Sequence, residues 1–194
     1  MFDGIMDEEI EQSVETVDTE TMQKYYPNYL SISNVIKLTL DMYVDPSNLF
    51  SNCAYIYGDN LYITDENGNI AFIDCEMKYT PNATEIKRRH AEYKRTGGHY
   101  AKHDNMDAGH FGVQLGQHPS ISMEQDAIMN RYGTWRTFER EWIKLLKEGH
   151  QINVKAVFVD DGAESTYSSF WCICETIDGI EGDAYPLLNE ADQF

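Results

Sequence analysis

Lysine and arginine are missing from both ends of this 194-residue chain. None lies in residues 1–22 or 161–194, and each of these stretches carries eight Asp or Glu. Ends of that charge repel a polyanion, so a surface for nucleic acid has to lie between them. Long apolar runs are lacking too, and none approaches the roughly 20 residues of a membrane-spanning helix. The acidic start, Met1 to Glu20, has neither the basic opening nor the apolar middle of a cleavable secretory signal. The four cysteines, Cys53, Cys75, Cys172 and Cys174, form no Cys-x-x-Cys pair, which argues against a zinc knuckle. Cys172 and Cys174 are two apart in an apolar stretch and share one face of a strand. The expectation is buried free thiols rather than a disulfide framework.

The charge that is present is uneven. The net charge is −18, yet residues 81–160 hold 12 of the 15 basic groups against 10 acidic ones. Four of the six histidines (His99, His103, His110 and His118) fall in the glycine-rich stretch 99–130. The spacings of His90, His99, His103 and His118 fit no zinc pattern, which leaves them as scattered loop histidines.

Apolar patterning divides the chain. Ile32, Val35, Ile36, Leu38, Leu40 and Met42 are compatible with a helix between Ser31 and Tyr43. Asp45-Pro46-Ser47 is a break, so residues 1–50 are an acidic segment with one helix and 51–194 the main domain. Aromatic and β-branched runs at 54–57, 61–64 and 70–79 predict strands, with turns at Gly58-Asp59-Asn60 and Asn67-Gly68. Residues 83–95 are charged and helix-tolerant. Trp135, Phe138, Trp142, Leu145 and Leu146 recur at spacings of three and four, which predicts a helix from Thr134 to Glu148 stopped by Gly149. Strands are expected at 153–159 and 168–177, followed by an acidic tail. The fold class is α+β with an antiparallel sheet.

The chemistry-bearing residues are Asp107-Ala108-Gly109-His110, then Asn130, then Glu139 on the predicted helix. Phosphodiester hydrolysis needs a base for water and a cation for the phosphate charge. Histidine has a suitable pKa for the first task. Oxygen donors suit a hard divalent cation for the second. On spacing alone the competing reading is a hydrogen-bonded structural histidine.

The order of motifs goes further. Tyr62-Ile63-Thr64-Asp65-Glu66-Asn67-Gly68, Thr96-Gly97-Gly98, Asp107-Ala108-Gly109-His110, Gln125 to Arg131 and Trp135 to Gly149 follow one another. In that order they resemble the DNA/RNA non-specific endonuclease domains of bacterial secreted toxins, which are His-Me finger (ββα-metal) nucleases. The similar stretch spans somewhat more than half the chain. The resemblance implies a ββα-metal core and Mg²⁺ (or Mn²⁺) as cofactor. It implies His110 as general base within a motif opened by Asp107, Asn130 as metal ligand, and Glu139 as the carboxylate supporting the metal's waters. It further implies a nucleic acid substrate, an immunity protein as partner, no membrane, and a bacterial effector that is secreted or cytoplasmic. The chain departs from the pattern at Ala108, where many relatives carry arginine, and at Tyr132, which is an extra residue. Arg136 and Arg140 are the best substitutes for that arginine. The competing function is a catalytically weak or inactive nuclease-like interaction module, favoured by Ala108 and by the overall charge.

Overall fold

The structure is a computed structural model, and it describes residues 32–40, 42, 44–45, 48–79, 84, 88, 91, 106–109, 115–118, 121, 123–127, 131–159 and 170–188. Nine strands and one long helix lie among these residues: β1 (Asn34–Lys37), β2 (Cys53–Tyr57), β3 (Asn60–Thr64), β4 (Ile70–Met77), β5 (Met106–Gly109), β6 (Met123–Asp126), α1 (Thr134–Glu148), β7 (Ile152–Val159), β8 (Phe170–Ile177) and β9 (Ile180–Leu188). Seven strands form one sheet in the order β1-β2-β3-β4-β7-β8-β9, and β5 and β6 form a separate antiparallel pair. The class is mixed α+β.

Alternation explains why β2 to β4 and β7 to β8 form a sheet with two apolar faces. Tyr55, Tyr62, Ile73, Cys75, Val154 and Ile173 join the larger core with Trp135 and Trp142 of α1. Ala54, Leu61, Ile63, Phe72, Val157 and Cys172 build a second core on the opposite face. All four cysteines are free and buried, as expected, and burial pushes the Cys53 thiol up to about 11. A thiol held protonated in this way is a packing group rather than a nucleophile.

The predicted helix forms over the predicted residues. Trp135 and Trp142 are buried and meet edge-on at 5.6 Å between ring centroids. Gly149, at φ 96°, closes the helix in a Schellman pattern: its N–H donates to the Leu146 carbonyl and that of His150 to the Leu145 carbonyl. The Trp142 indole N–H donates to Glu175 Oε1 at 2.8 Å, which ties α1 to β8. The Asn67-Gly68 turn is present as well. Asp65 Oδ1 accepts from the N–H groups of Asn67 and Asn69 at 2.8 Å, and Gly68 takes φ 82°.

Two expectations are corrected. The helix expected between Ser31 and Tyr43 is instead strand β1 over Asn34–Lys37. It pairs in parallel with β2, so the sheet is mixed rather than purely antiparallel. The reason lies in the two-faced sheet: Val35 packs into one core and Ile36 and Leu38 into the other. The apolar residues therefore need no helical period. The acidic tail, in turn, contains β9. It sits at the sheet edge, where exposed Glu181 and Asp183 face solvent without penalty. The expected helix over 83–95 lies almost entirely outside the described residues. Among the described residues no helix is long and apolar enough to cross a membrane.

Candidate active site

Hairpin β5–β6 and helix α1 carry the residues singled out in the sequence. Asp107 and Gly109 lie in β5, opposite Gln125 and Met123 of β6, and Ala108 lies opposite Glu124. Strand β5 closes at Gly109, the residue before His110, and α1 opens at Thr134, four residues after Asn130. His110 and Asn130 themselves fall outside the described residues, as does the side chain of Asp107.

Glu139 is described in full. It sits in the second turn of α1, only 8% exposed, and its Oε2 accepts from Arg136 Nη1 at 2.8 Å. Burial raises its pKa above the ordinary carboxylate value, and Arg136 and the Trp135 indole pull it part of the way back. A carboxylate buried beside one arginine is poised to hold hydrogen-bond donors. Arg136 is thereby engaged with Glu139 and stays partly exposed. Arg140, one turn on, is exposed.

The N-terminus of α1 is electrostatically open. Gly133 caps it with no side-chain hydrogen bond, and the first turn carries no acidic residue. The helix dipole there therefore favours an anion. Just before it, Arg131 and Tyr132 are exposed.

Sequence reasoning gave no role to the clamp that holds the chain between β5 and β6. Tyr62 Oη donates to Gln117 Oε1 at 2.7 Å and accepts from the His118 N–H at 3.3 Å. His118 Nε2 lies 3.0 Å from the Thr39 carbonyl, and its ring meets Tyr57 edge-on at 4.8 Å. Lys78 N–H donates to the Leu115 carbonyl at 3.0 Å. Segment 115–118, five residues beyond His110, is thus fastened to β2 and β3 and to Thr39 and Lys78, just past the ends of β1 and β4. His118 is a buried structural histidine rather than a surface one. No local signal announces this clamp, because its partners lie 37 to 79 residues apart.

Gln125 is the second feature that the sequence leaves unmarked. Its side chain is buried, and neither amide atom has a hydrogen-bond partner. Among the described residues no group of three or more His, Cys, Asp or Glu is placed to hold a metal ion.

No family model matches the chain, and no curated protein matches it.

Proposed function

We propose that the chain is a metal-dependent endonuclease that hydrolyses phosphodiester bonds in DNA, RNA or both, with a ββα-metal core formed by β5, β6 and α1. The observation that carries the reading is the order of elements around the motifs. A hairpin strand ends immediately before His110, its partner strand lies just ahead of Asn130, and the next helix buries Glu139 against Arg136. A buried carboxylate with a raised pKa is a common feature of functional sites, and this one falls on the helix that follows the motif residues, although Asp74 of β4 shares the feature within the sheet.

In this reading the His110 imidazole takes a proton from the attacking water as the oxygen–phosphorus bond forms and the bridging P–O bond breaks. The Asn130 amide oxygen and the Glu139 carboxylate are all-oxygen donors, which fit Mg²⁺ or Mn²⁺ better than a softer ion. When bound, that cation supplies charge neutralisation on the phosphate. Arg136 holds the Glu139 carboxylate in place. The biological setting is a bacterial toxin effector acting on a competitor's nucleic acid and neutralised by a cognate immunity protein.

The test is plasmid nicking by the full chain with Mg²⁺, with excess chelator, and with His110→Ala. Nicking that needs Mg²⁺ and falls by about 100-fold or more in the variant supports the reading, since a general base contributes roughly 10²–10⁴-fold. Cleavage that survives both chelator and the substitution would remove it. One observation favours a second reading, a catalytically weak or inactive nuclease-like interaction module: Ala108 stands where many members of the family that the chain resembles carry an arginine, a side chain suited to phosphate. That reading predicts nucleic acid binding with no nicking under any metal.

A further inference from the structure

Strand β9 forms one edge of the seven-stranded sheet, and no described residue pairs with its outer side. Residues 180–185 are all exposed, so this half of the strand meets solvent on both faces. It is nevertheless held in place. Asp178, in the β8–β9 turn, is tied to the corner between α1 and β7. Its Oδ1 accepts from the Gln151 N–H at 2.8 Å, its Oδ2 meets His150 Nδ1 at 2.6 Å, and its own N–H donates to the Gln151 carbonyl at 2.9 Å. Further along, the Tyr185 ring packs on Phe138 of α1 at 5.8 Å between centroids. A free edge fixed in this way is a template for another strand. Of the devices that blunt such edges, β9 has a register shift against β8 and two acids, but residues 180–185 contain no lysine or proline. Ile180 is 75% exposed and Tyr185 46%, and neither Glu181 nor Asp183 meets a basic group among the described residues.

We infer that β9 is a docking edge for an extended basic segment of another protein, which joins the sheet as an eighth strand. Main-chain hydrogen bonds along the edge supply affinity, and Lys or Arg side chains opposite Glu181 and Asp183 supply the choice of partner. No basic residue of the surrounding stretch 161–194 competes for those carboxylates. A second copy of this chain fits worse. Antiparallel pairing of two β9 strands about Gly182 sets Glu181 of each against Asp183 of the other, and like charges directly opposite are destabilising. The acids thus close the edge to its own kind and leave it open to a basic strand. Because the turn is already tethered, little order has to be gained on docking. The opposite edge, β1, offers only four residues. The inference is independent of the nuclease reading.

The experiment uses the full chain at physiological salt, where screening over about 8 Å suppresses diffuse attraction to an acidic protein. Fluorescence anisotropy measures binding of labelled octapeptides: one alternating Lys and Val, one alternating Glu and Val, and the first again with every backbone nitrogen methylated. Methylation keeps the charges and removes the main-chain donors. The Lys–Val peptide should bind, and each of the other two should bind at least about tenfold more weakly. The double variant Glu181→Lys/Asp183→Lys should lose about tenfold for the Lys–Val peptide and gain for the Glu–Val peptide. Both positions are exposed, and a thermal melt verifies the fold, while the methylated probe needs no variant at all. Hydrogen exchange should slow in β9 when the Lys–Val peptide is bound. No binding of that peptide overturns the inference. Equal binding of its methylated form does so too, because charge alone would then explain it, as does protection that falls elsewhere than β9. Sedimentation showing a dimer of the wild-type chain that the double variant abolishes would assign the edge to a second copy and overturn it as well.

Discussion

The seven-stranded sheet and the hairpin β5–β6 are built on opposite terms. In the sheet, side chains alternate into two apolar cores, and α1 closes one of them with two fully buried tryptophans. The hairpin has two strands of four residues and leaves the Gln125 amide buried without a partner. Beside it in the chain, α1 buries the Glu139 carboxylate. An unpaired buried polar group costs about 1–3 kcal/mol. Such groups are tolerable only on a scaffold with stability to spare. The difference teaches that apolar burial concentrates in the sheet and α1, whereas the hairpin holds an amide with neither atom partnered, of which Asn60 Oδ1 in β3 is the smaller counterpart in the sheet.

Substitutions sharpen this contrast. The largest effect is expected in the scaffold. Trp142→Ala opens a cavity between α1 and the sheet and strands the Glu175 carboxylate, so it should cost about 3–5 kcal/mol in chemical denaturation. A loss under about 1 kcal/mol would break the distinction between the two regions.

Glu139→Gln should do the reverse. Activity should fall roughly 10–100-fold, as when a carboxylate supporting a metal site is lost, with no loss of stability at neutral pH. The sign of the pH effect follows from burial, which raises the Glu139 pKa in the folded chain. The protonated form is therefore favoured by folding, and that contribution is fully present below the unfolded pKa. It is lost as pH rises through the raised folded value. The glutamine variant has nothing to ionise, so its stability relative to wild type should improve with rising pH across that window. Thermal melts over a pH series measure this, and a variant that loses ground as pH rises contradicts the assignment of burial as the dominant cause.

Gly68→Ala comes next. At φ 82° an added Cβ is strained, and it would overlap the Leu49 carbonyl oxygen. A loss of about 1–2 kcal/mol is expected, with unchanged activity per folded molecule. The smallest effect is expected at Gln125→Met. Replacing an unpaired amide by an apolar chain of similar length should stabilise by about 1 kcal/mol. A lower melting temperature instead would mean that a water or ligand satisfies the amide, and that the hairpin is less strained than it looks.

The sequence by itself determined the elements whose signals are local. Helix α1 could be read from Trp135, Phe138, Trp142 and Leu145, and its end from Gly149, because helical periodicity and a left-handed stop involve near neighbours only. Strands β2 to β4 and the Asn67-Gly68 turn were legible for the same reason, as was the order of Asp107, His110, Asn130 and Glu139 along the chain. Tertiary structure decided the rest. Strand β1 looked helix-compatible until β2 offered it a partner and the two sheet faces took Val35 and Ile36 apart. Strand β9 has too many acidic residues to announce itself, and exists because β8 had a free edge. The burial of His118 under Tyr57 and Tyr62, and of Glu139 against Arg136, depends on which elements meet in space. Strand conformation and side-chain burial are properties of pairing and packing, and a local pattern cannot carry them when the partners are tens of residues away.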